Sequence, residues 1–277
     1  MSSTTYMLRT NAPSMVSYRG FVWPESGAVS APDWDPDPRC GGGLHGLLMG
    51  QGDAGLFREP LDPATKWLVV EVDPDLVVDL GGKVKVPSGT VVVCGDRSSA
   101  LDFLRERGAT ALPFVTVTAG DSGAAAAGNF GTAIAGNFGT AIAGDDGTAT
   151  AGVWGTATAG DGGTATAGVR GTATVGVRGT ATAGDGGVAT AGNSGAAIAG
   201  NSGAAIAGVR GAAIAGVRGV ATAGVRGIIQ IRWMDDDRRR VVTGHVGEGI
   251  APDTRYRLDG NGNFERADNE PNLTGTK

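Results

Sequence analysis

The small and apolar positions of residues 119–230 recur every eight residues, in fourteen gap-free units of the form A-G-x-x-G-x-A-x. The first glycine returns without exception from Gly120 to Gly224, and the second from Gly123 to Gly227. Ala fills the seventh position from Ala125 to Ala221 and gives way only to Ile229; the first position is Ala except at Val175. Positions six and eight carry Thr, Ile, Val or Ala until Gln230 closes the array. A fixed period of this length marks a stacked repeat architecture.

Each unit contains one turn and one strand. In Gly160-Asp161-Gly162-Gly163 the middle residues are turn formers, and the flanking glycines permit backbone angles that a Cβ disfavours. In Thr164-Ala165-Thr166-Ala167 the β-branched residues suit a pleated surface. Side chains alternate across a strand, so positions six and eight share one face and positions seven and one the other. The near-uniform Ala positions fit a narrow interior between two sheets, with Thr and Ile outside. The converse, Thr and Ile inside, draws on the discomfort of exposing Ile134, Ile142, Ile198, Ile206 and Ile214.

Two units per coil give a sixteen-residue coil and seven coils. At about 4.8 Å per stacked strand the rod is roughly 34 Å long. An Ala interior buries little area, so stability has to come from inter-coil hydrogen bonds and nearest-neighbour stacking. The competing reading is a disordered or silk-like linker, against which the unbroken phase argues.

The predicted fold class is mainly β, in three parts: an α+β domain over 1–117, an octapeptide-repeat β-solenoid over 118–230, and a β-hairpin cap over 231–277. In the first part, strands are expected at Tyr18–Trp23, Trp67–Val72 and Thr90–Val93, and a helix over Ser98–Arg107. Ser98 or Ser99 would cap that helix, Leu101, Phe103 and Leu104 would face inward, and Gly108 would end it. In the last part, Ile228–Met234 and Arg239–Val242 read as strands about a turn at Asp235–Asp237. Tyr256–Leu258 and Asn263–Glu265 read as a second hairpin.

Composition narrows the classes. Gly is 50 of 277 residues and aromatics 5%, yet the hydrophobic fraction is 41% and the net charge −5, which suits a folded chain rather than a disordered one. Nothing in the charge announces a nucleic-acid partner. Cys40 and Cys94 cannot make a disulfide framework; they have the number for one bridge but read rather as two reduced thiols. The opening MSSTTYMLRT lacks a basic start followed by an apolar run, and no stretch has the roughly 20 apolar residues of a membrane helix. The expected location is cytoplasmic, with no membrane partner.

The unit Ala-Gly-Asp-Gly-Gly-Thr-Ala-Thr at 159–166 resembles the octapeptide of bacterial ice-nucleation proteins, A-G-x-G-S-T-x-T. The resemblance covers 119–230 and implies sixteen-residue coils with Thr-x-Thr ranks that order water. Five successive units carry the triplet: Thr148 with Thr150, Thr156 with Thr158, Thr164 with Thr166, Thr172 with Thr174, and Thr180 with Thr182. Two units per coil divide these five pairs between two faces, three and two. Other units read Thr-Ala-Ile or Ala-Ala-Ile, and the array is far shorter than a nucleator's. The whole chain also resembles uncharacterised phage and bacterial proteins through Arg19-Gly20-Phe21 and Cys40-Gly41-Gly42-Gly43-Leu44-His45.

Candidate chemistry is sparse, and no cofactor or metal is expected. A nucleophilic pair of Cys40 and His45 requires hydrogen-bond reach and a third, orienting group. Arg19, His45 and Glu71 together would suggest a nucleotide-handling enzyme of the ADP-ribosyl-transferring kind. Cys40, His45, Cys94 and His245 are too few and scattered for a structural zinc site. Asp259–Asn263 spaces oxygen side chains weakly like a calcium loop but reads better as a hairpin turn. Gly41–Gly43 is no phosphate loop, since no Lys-Ser/Thr follows.

The repeat turns hold five acidic residues (Asp121, Asp145, Asp146, Asp161, Asp185) and five basic ones (Arg170, Arg178, Arg210, Arg218, Arg226). A net charge of zero argues against a DNA mimic. Phe130, Phe138 and Trp154 sit at turn tips, where aromatics anchor partners, although such tips tolerate most residues. The leading expectation is a non-enzymatic repeat protein presenting solenoid faces and turn tips to a protein partner or to itself. The alternatives are a water-ordering, ice-binding surface and an enzyme in residues 1–117.

Overall fold

The computed structural model describes residues 4–17, 20–235 and 238–267. The chain divides into two compact units, residues 1–113 and 114–277.

The second unit is the β-solenoid. Fourteen short strands, β8 (Thr116–Thr118) through β21 (Val220–Ala223), alternate between two parallel sheets. Each strand pairs with the one sixteen residues away, so Thr148, Thr164 and Thr180 align, as do Ala149, Ala165 and Ala181. The interior is the alanine face: Ala149, Ala157, Ala165 and Ala173 are each 0% exposed. Val175 is accommodated at a first position and is buried. Thr and Ile face outward, as the narrow-interior reading expects.

The turns correct one sequence expectation. The unusual backbone angle falls on the residue before the second glycine, not on the flanking glycines. That residue is left-handed at every turn, for example Trp154 (φ 58°), Arg178 (φ 61°) and Arg226 (φ 59°). From Gly131 onward the flanking glycines are required by space. A Cβ on Gly171 would lie 2.8 Å from Ala167 Cβ and 2.8 Å from the carbonyl oxygen of Gly155 in the preceding coil. Real Cβ atoms do not approach that closely, so the coils stack only because these positions lack one.

Inter-coil hydrogen bonds run through the turns as well as the strands. The amide of Trp154 donates to Val169 O at 2.9 Å, and that of Arg178 to Asn193 O at 2.9 Å. Side chains extend the ladder wherever the first middle residue is Asp or Asn. Asp145 Oδ1 accepts from Asp161 N at 2.9 Å, and Asp161 Oδ1 from Val177 N at 2.7 Å. Each such bond contributes about 0.5–1.5 kcal/mol. Valine at this position gives up that acceptor.

At its C-terminal end the array grows bulkier. β22 (Ile228–Asp235) continues one sheet and buries Ile229 and Ile231; β23 (Arg238–His245) returns antiparallel along it. Asp236 and Asp237, at the expected turn, lie outside the described residues. β24 (Tyr256–Leu258) joins the other sheet opposite Ala221, and β25 (Phe264–Arg266) pairs with it. Ile250 and Tyr256 pack on the alanine core. These antiparallel additions cover edges that would otherwise template association. Asp259 Oδ1 accepts from the amides of Asn261 and Asn263, both at 2.8 Å, so this carboxylate builds the hairpin turn. Those backbone bonds, that of Asn263 foremost, hold its pKa below the usual carboxylate range.

The first unit is a seven-stranded sheet: β1 (Thr5–Asn11), β2 (Gly27–Ser30), β3 (Leu44–Leu48), β4 (Lys66–Val72), β5 (Val78–Asp79), β6 (Val84–Val86) and β7 (Ser88–Gly95). Their order is β2-β7-β4-β1-β3-β6-β5. Met7 and Leu8 are adjacent on β1 and both fully buried, so both faces of the central strands are covered. Helix α1 (Arg97–Glu106) packs on β4 and β7 through Leu101 and Leu104. Two expectations are corrected here. The helix cap is Asp96, not a serine: its carboxylate accepts from Ser99 N at 2.8 Å and Ser99 Oγ at 2.7 Å. The strand expected over Tyr18–Trp23 is also replaced. Tyr18 and Arg19 lie outside the described residues. Among the described residues beside them, Ser17 N bonds Phe21 O, Gly20 N bonds Ser17 O, and Val16 and Val22 form an isolated bridge. Among the described residues no helix is long and apolar enough to cross a membrane.

Candidate functional site

The solenoid offers two kinds of surface, its flat faces and its turn edges. The five Thr-x-Thr pairs divide as their spacing requires. Three pairs stack in register on one sheet: Thr148 with Thr150, Thr164 with Thr166, and Thr180 with Thr182. Two stack on the other: Thr156 with Thr158, and Thr172 with Thr174.

Both sheets depart from the five pairs in the same way. On the first, Thr132 pairs with Thr148, and Thr116, ahead of the repeat, with Thr132, so five threonines stand in one line. In the column beside it Ile134 interrupts between Thr118 and Thr150. On the second, Thr140 precedes Thr156 and Thr172 in one line. In its neighbouring column Thr158 lies between Ile142 and Thr174, and Thr190 follows Thr174. The column of Thr158 therefore gains a threonine at one end and meets an isoleucine at the other, neither of which the triplet count includes.

The hydroxyls form a grid of about 6.7 Å along the strand by about 4.8 Å between rungs. Strand geometry fixes it, since β-branched Thr has few χ1 options. The ten candidates are not equally open to water. Thr148, Thr156, Thr164 and Thr172 are exposed. Thr180 and the second member of each pair, Thr150, Thr158, Thr166, Thr174 and Thr182, are only partly exposed.

Successive turns leave opposite edges, so turn residues sixteen apart are neighbours. Phe138, Trp154 and Arg170 occupy consecutive coils on one edge, with Arg218 further along it; Phe130, Arg178, Arg210 and Arg226 are on the other. Phe138 is 65% and Trp154 51% exposed. The Arg170 guanidinium lies 5.1 Å from the Trp154 ring centroid, a cation–π contact between coils. On the other edge Phe130 stacks on Phe114 at 5.1 Å with the rings 3° from parallel. The candidate turn-tip residues are thus distributed over two edges, and Phe130 is separated from the other two aromatics.

His45, on β3, and Glu71, on β4, line separate clefts, and Arg19 lies outside the described residues. Cys40 and Cys94 are free thiols. The Cys40 sulfur accepts from Lys83 Nζ at 3.1 Å. The triple-glycine loop is held from beneath by Lys85, 1% exposed, whose Nζ donates to Arg39 O at 2.9 Å and Gly41 O at 3.0 Å. A Cβ on Gly42 would lie 2.5 Å from Asp33 O, which accounts for one of the three glycines. Burial, followed by the charges of Lys83, Arg9 and Lys85, pushes the His45 imidazole below its ordinary pKa.

Sequence reasoning missed the residues around His45. Arg9, Asn11, Arg58 and Lys83 share its cleft, and no short motif joins them. Among the described residues there is no group of three or more His, Cys, Asp or Glu side chains placed to hold a metal ion.

The repeat region is similar to ice nucleation proteins. One from Xanthomonas campestris pv. translucens is 37% identical over 99 residues, 35% of this chain and 6% of that protein. Ice nucleation protein InaU of Pantoea ananas is 32% identical over 116 residues, 41% of this chain and 11% of that protein. An ice nucleation protein of Pseudomonas syringae is 38% identical over 103 residues, covering 36% and 9% respectively. The chain therefore spans about a tenth or less of the length of these curated relatives. No protein-family model matches the chain. No solved structure matches it either.

Proposed function

We propose that the repeat unit orders water on its threonine faces and attaches to ice, acting as a surface without bond-making chemistry. The observation that carries this reading is the in-register stack of three Thr-x-Thr pairs, from Thr148 to Thr182, on a parallel sheet. A rigid grid of hydroxyls and methyls imposes one spacing on the water above it, where mobile side chains would impose none. The similarity of this region to proteins named for ice nucleation supports the same reading. Three paired rungs span only about 10 Å. The activity expected of so small a patch is adsorption to existing crystals rather than nucleation.

Recrystallisation inhibition by the full chain tests this. The wild type is expected to slow ice-grain growth. Thr166→Tyr, at the central rung, is expected to remove the effect while circular dichroism stays unchanged. A folded wild type without effect at its solubility limit, or a tyrosine variant with full effect, defeats the reading.

A second reading has its own observation: the exposed column of Phe138, Trp154 and Arg170 along one edge. Exposed aromatics beside an arginine are the composition of protein-binding hot spots. The edge would then dock a protein partner or a second copy. Sedimentation of wild type against Trp154→Ser reads self-association. A concentration-dependent dimer that the substitution weakens supports it, and a wild type monomeric at all concentrations removes the second copy as occupant.

A further inference from the structure

The cleft beside His45 in the first unit has no part in the solenoid's surface, and its lining is one-sided. It encloses about 250 Å³. Arg9, Arg58 and Lys83 contribute three cations, and no Asp or Glu is among its described lining residues. None of the three forms an ion pair with a described carboxylate. Ala12, Val16, Leu47, Leu56 and Phe57 supply an apolar wall.

The polar groups are positioned rather than loose. The Arg9 guanidinium lies 4.2 Å from the Trp23 ring centroid and donates to His45 O at 3.0 Å and Asn11 Oδ1 at 3.2 Å. Asn11 is 3% exposed, and with its oxygen taken by Arg9 its Nδ2 has no partner among the described residues. Among the described residues His45 Nε2 is also buried without a partner. The Arg58 amide donates to Thr10 Oγ1 at 2.8 Å, tying its loop to β1. Burial lowers the Arg9 pKa to about 10. Cations held together at this cost, with two buried groups unsatisfied, form a site complementary to an anion.

We propose that this cleft binds a small organic phosphate monoester, its dianionic head on Arg9, Arg58, Lys83 and the Asn11 amide, its apolar body against Phe57 and Leu56. Guanidinium groups match phosphate oxygens in paired hydrogen bonds. The cavity is too small for a large ligand and too apolar on one side for the bare ion to fill it.

Titrating the full chain with phenyl phosphate, inorganic phosphate and benzyl alcohol, followed by the ring signals of His45, tests the proposal. The chain has two histidines, so His245→Gln assigns the signal. Phenyl phosphate is expected to shift His45 saturably and raise its pKa, because a bound dianion opposes the depression by Lys83 and Arg9. Inorganic phosphate should bind about tenfold more weakly, and benzyl alcohol should leave the signal unmoved. Arg58→Gln, at an exposed side chain, should weaken phenyl phosphate about tenfold or more. No saturable shift in folded protein, an equal response to benzyl alcohol, or an unchanged affinity in Arg58→Gln overturns the proposal. Equal affinity for inorganic phosphate overturns the assignment of an organic ester.

Discussion

Gly171→Val unfolds the repeat unit, while Arg178→Gly leaves its melting temperature unchanged or a few degrees higher. Gly171 has no room for a side chain. Its Cβ would meet Ala167 Cβ at 2.8 Å, Gly155 O at 2.8 Å and Gly168 O at 3.0 Å. The backbone cannot give way without breaking the ladder, since Thr172 N bonds Gly155 O at 2.9 Å and Gly171 N bonds Gly168 O at 3.0 Å. Valine adds two further carbons to the same space. In a stack where each coil is held by its neighbours, a wedge at the middle uncouples both halves. The expected loss is on the order of 3–5 kcal/mol. Arg178 is the opposite case. It sits at φ 61°, a conformation that costs a residue with a Cβ about 1–2 kcal/mol. Glycine removes that strain but gives back about 0.5–1 kcal/mol in unfolded-chain entropy. Thermal melts by circular dichroism decide it. Equal melting of Gly171→Val and wild type would mean that the coils are not stacked as described.

Ala165→Leu is the second large effect. Ala165 is 0% exposed, and the interior around it is filled by methyl groups from Ala149, Ala157, Ala173 and Ala181, each also at 0%. Leucine adds three carbons with no void to receive them, which costs typically 1–3 kcal/mol and more where backbones must part. Ala167→Val is expected to cost far less, because Val175 already occupies the equivalent first position at 4% exposure. On the outer face Thr164→Val should stay within about 0.5 kcal/mol. Chemical denaturation of the three variants gives the ranking. A leucine variant as stable as the wild type would show that the two sheets do not meet as an alanine interface.

The solenoid was legible because its pattern repeats. Fourteen copies of one eight-residue phrase left the alternation of Ala against Thr unmistakable, and alternation fixes faces. The division of the five threonine pairs followed from two units per coil. What the phrase could not reveal is which backbone position turns left-handed. Gly at the flanks suggests conformational freedom, whereas steric crowding from the coil before explains it, and that coil is distant in sequence. The unequal exposure of Thr156 and Thr158 is likewise invisible in the octad, where both simply alternate with Ala157. The pairing of Arg170 with Trp154 is hidden because neighbours on an edge are sixteen residues apart. In the first unit the central strands are buried on both faces, so Met7 and Leu8 show no alternation to read. Asp96 outcompeted Ser98 as cap because its carboxylate reaches both the amide and the hydroxyl of Ser99. Arg9, His45, Arg58 and Lys83 come from separate segments, and only the sheet order brings them together.

The array is written in eights but assembled in sixteens, and this gives it a parity. Units 127–134 and 135–142 are identical, as are 191–198 and 199–206, yet the members of each couple lie on different sheets. Gaining or losing one octad sends every downstream unit to the other side of the rod; gaining or losing two leaves each where it was. A single octad inserted after Thr174 would take Thr180 and Thr182 from the column of Thr164 and place them with Thr172. Odd changes in copy number thus reshuffle the two sides without altering a single codon, and even ones only lengthen or shorten them.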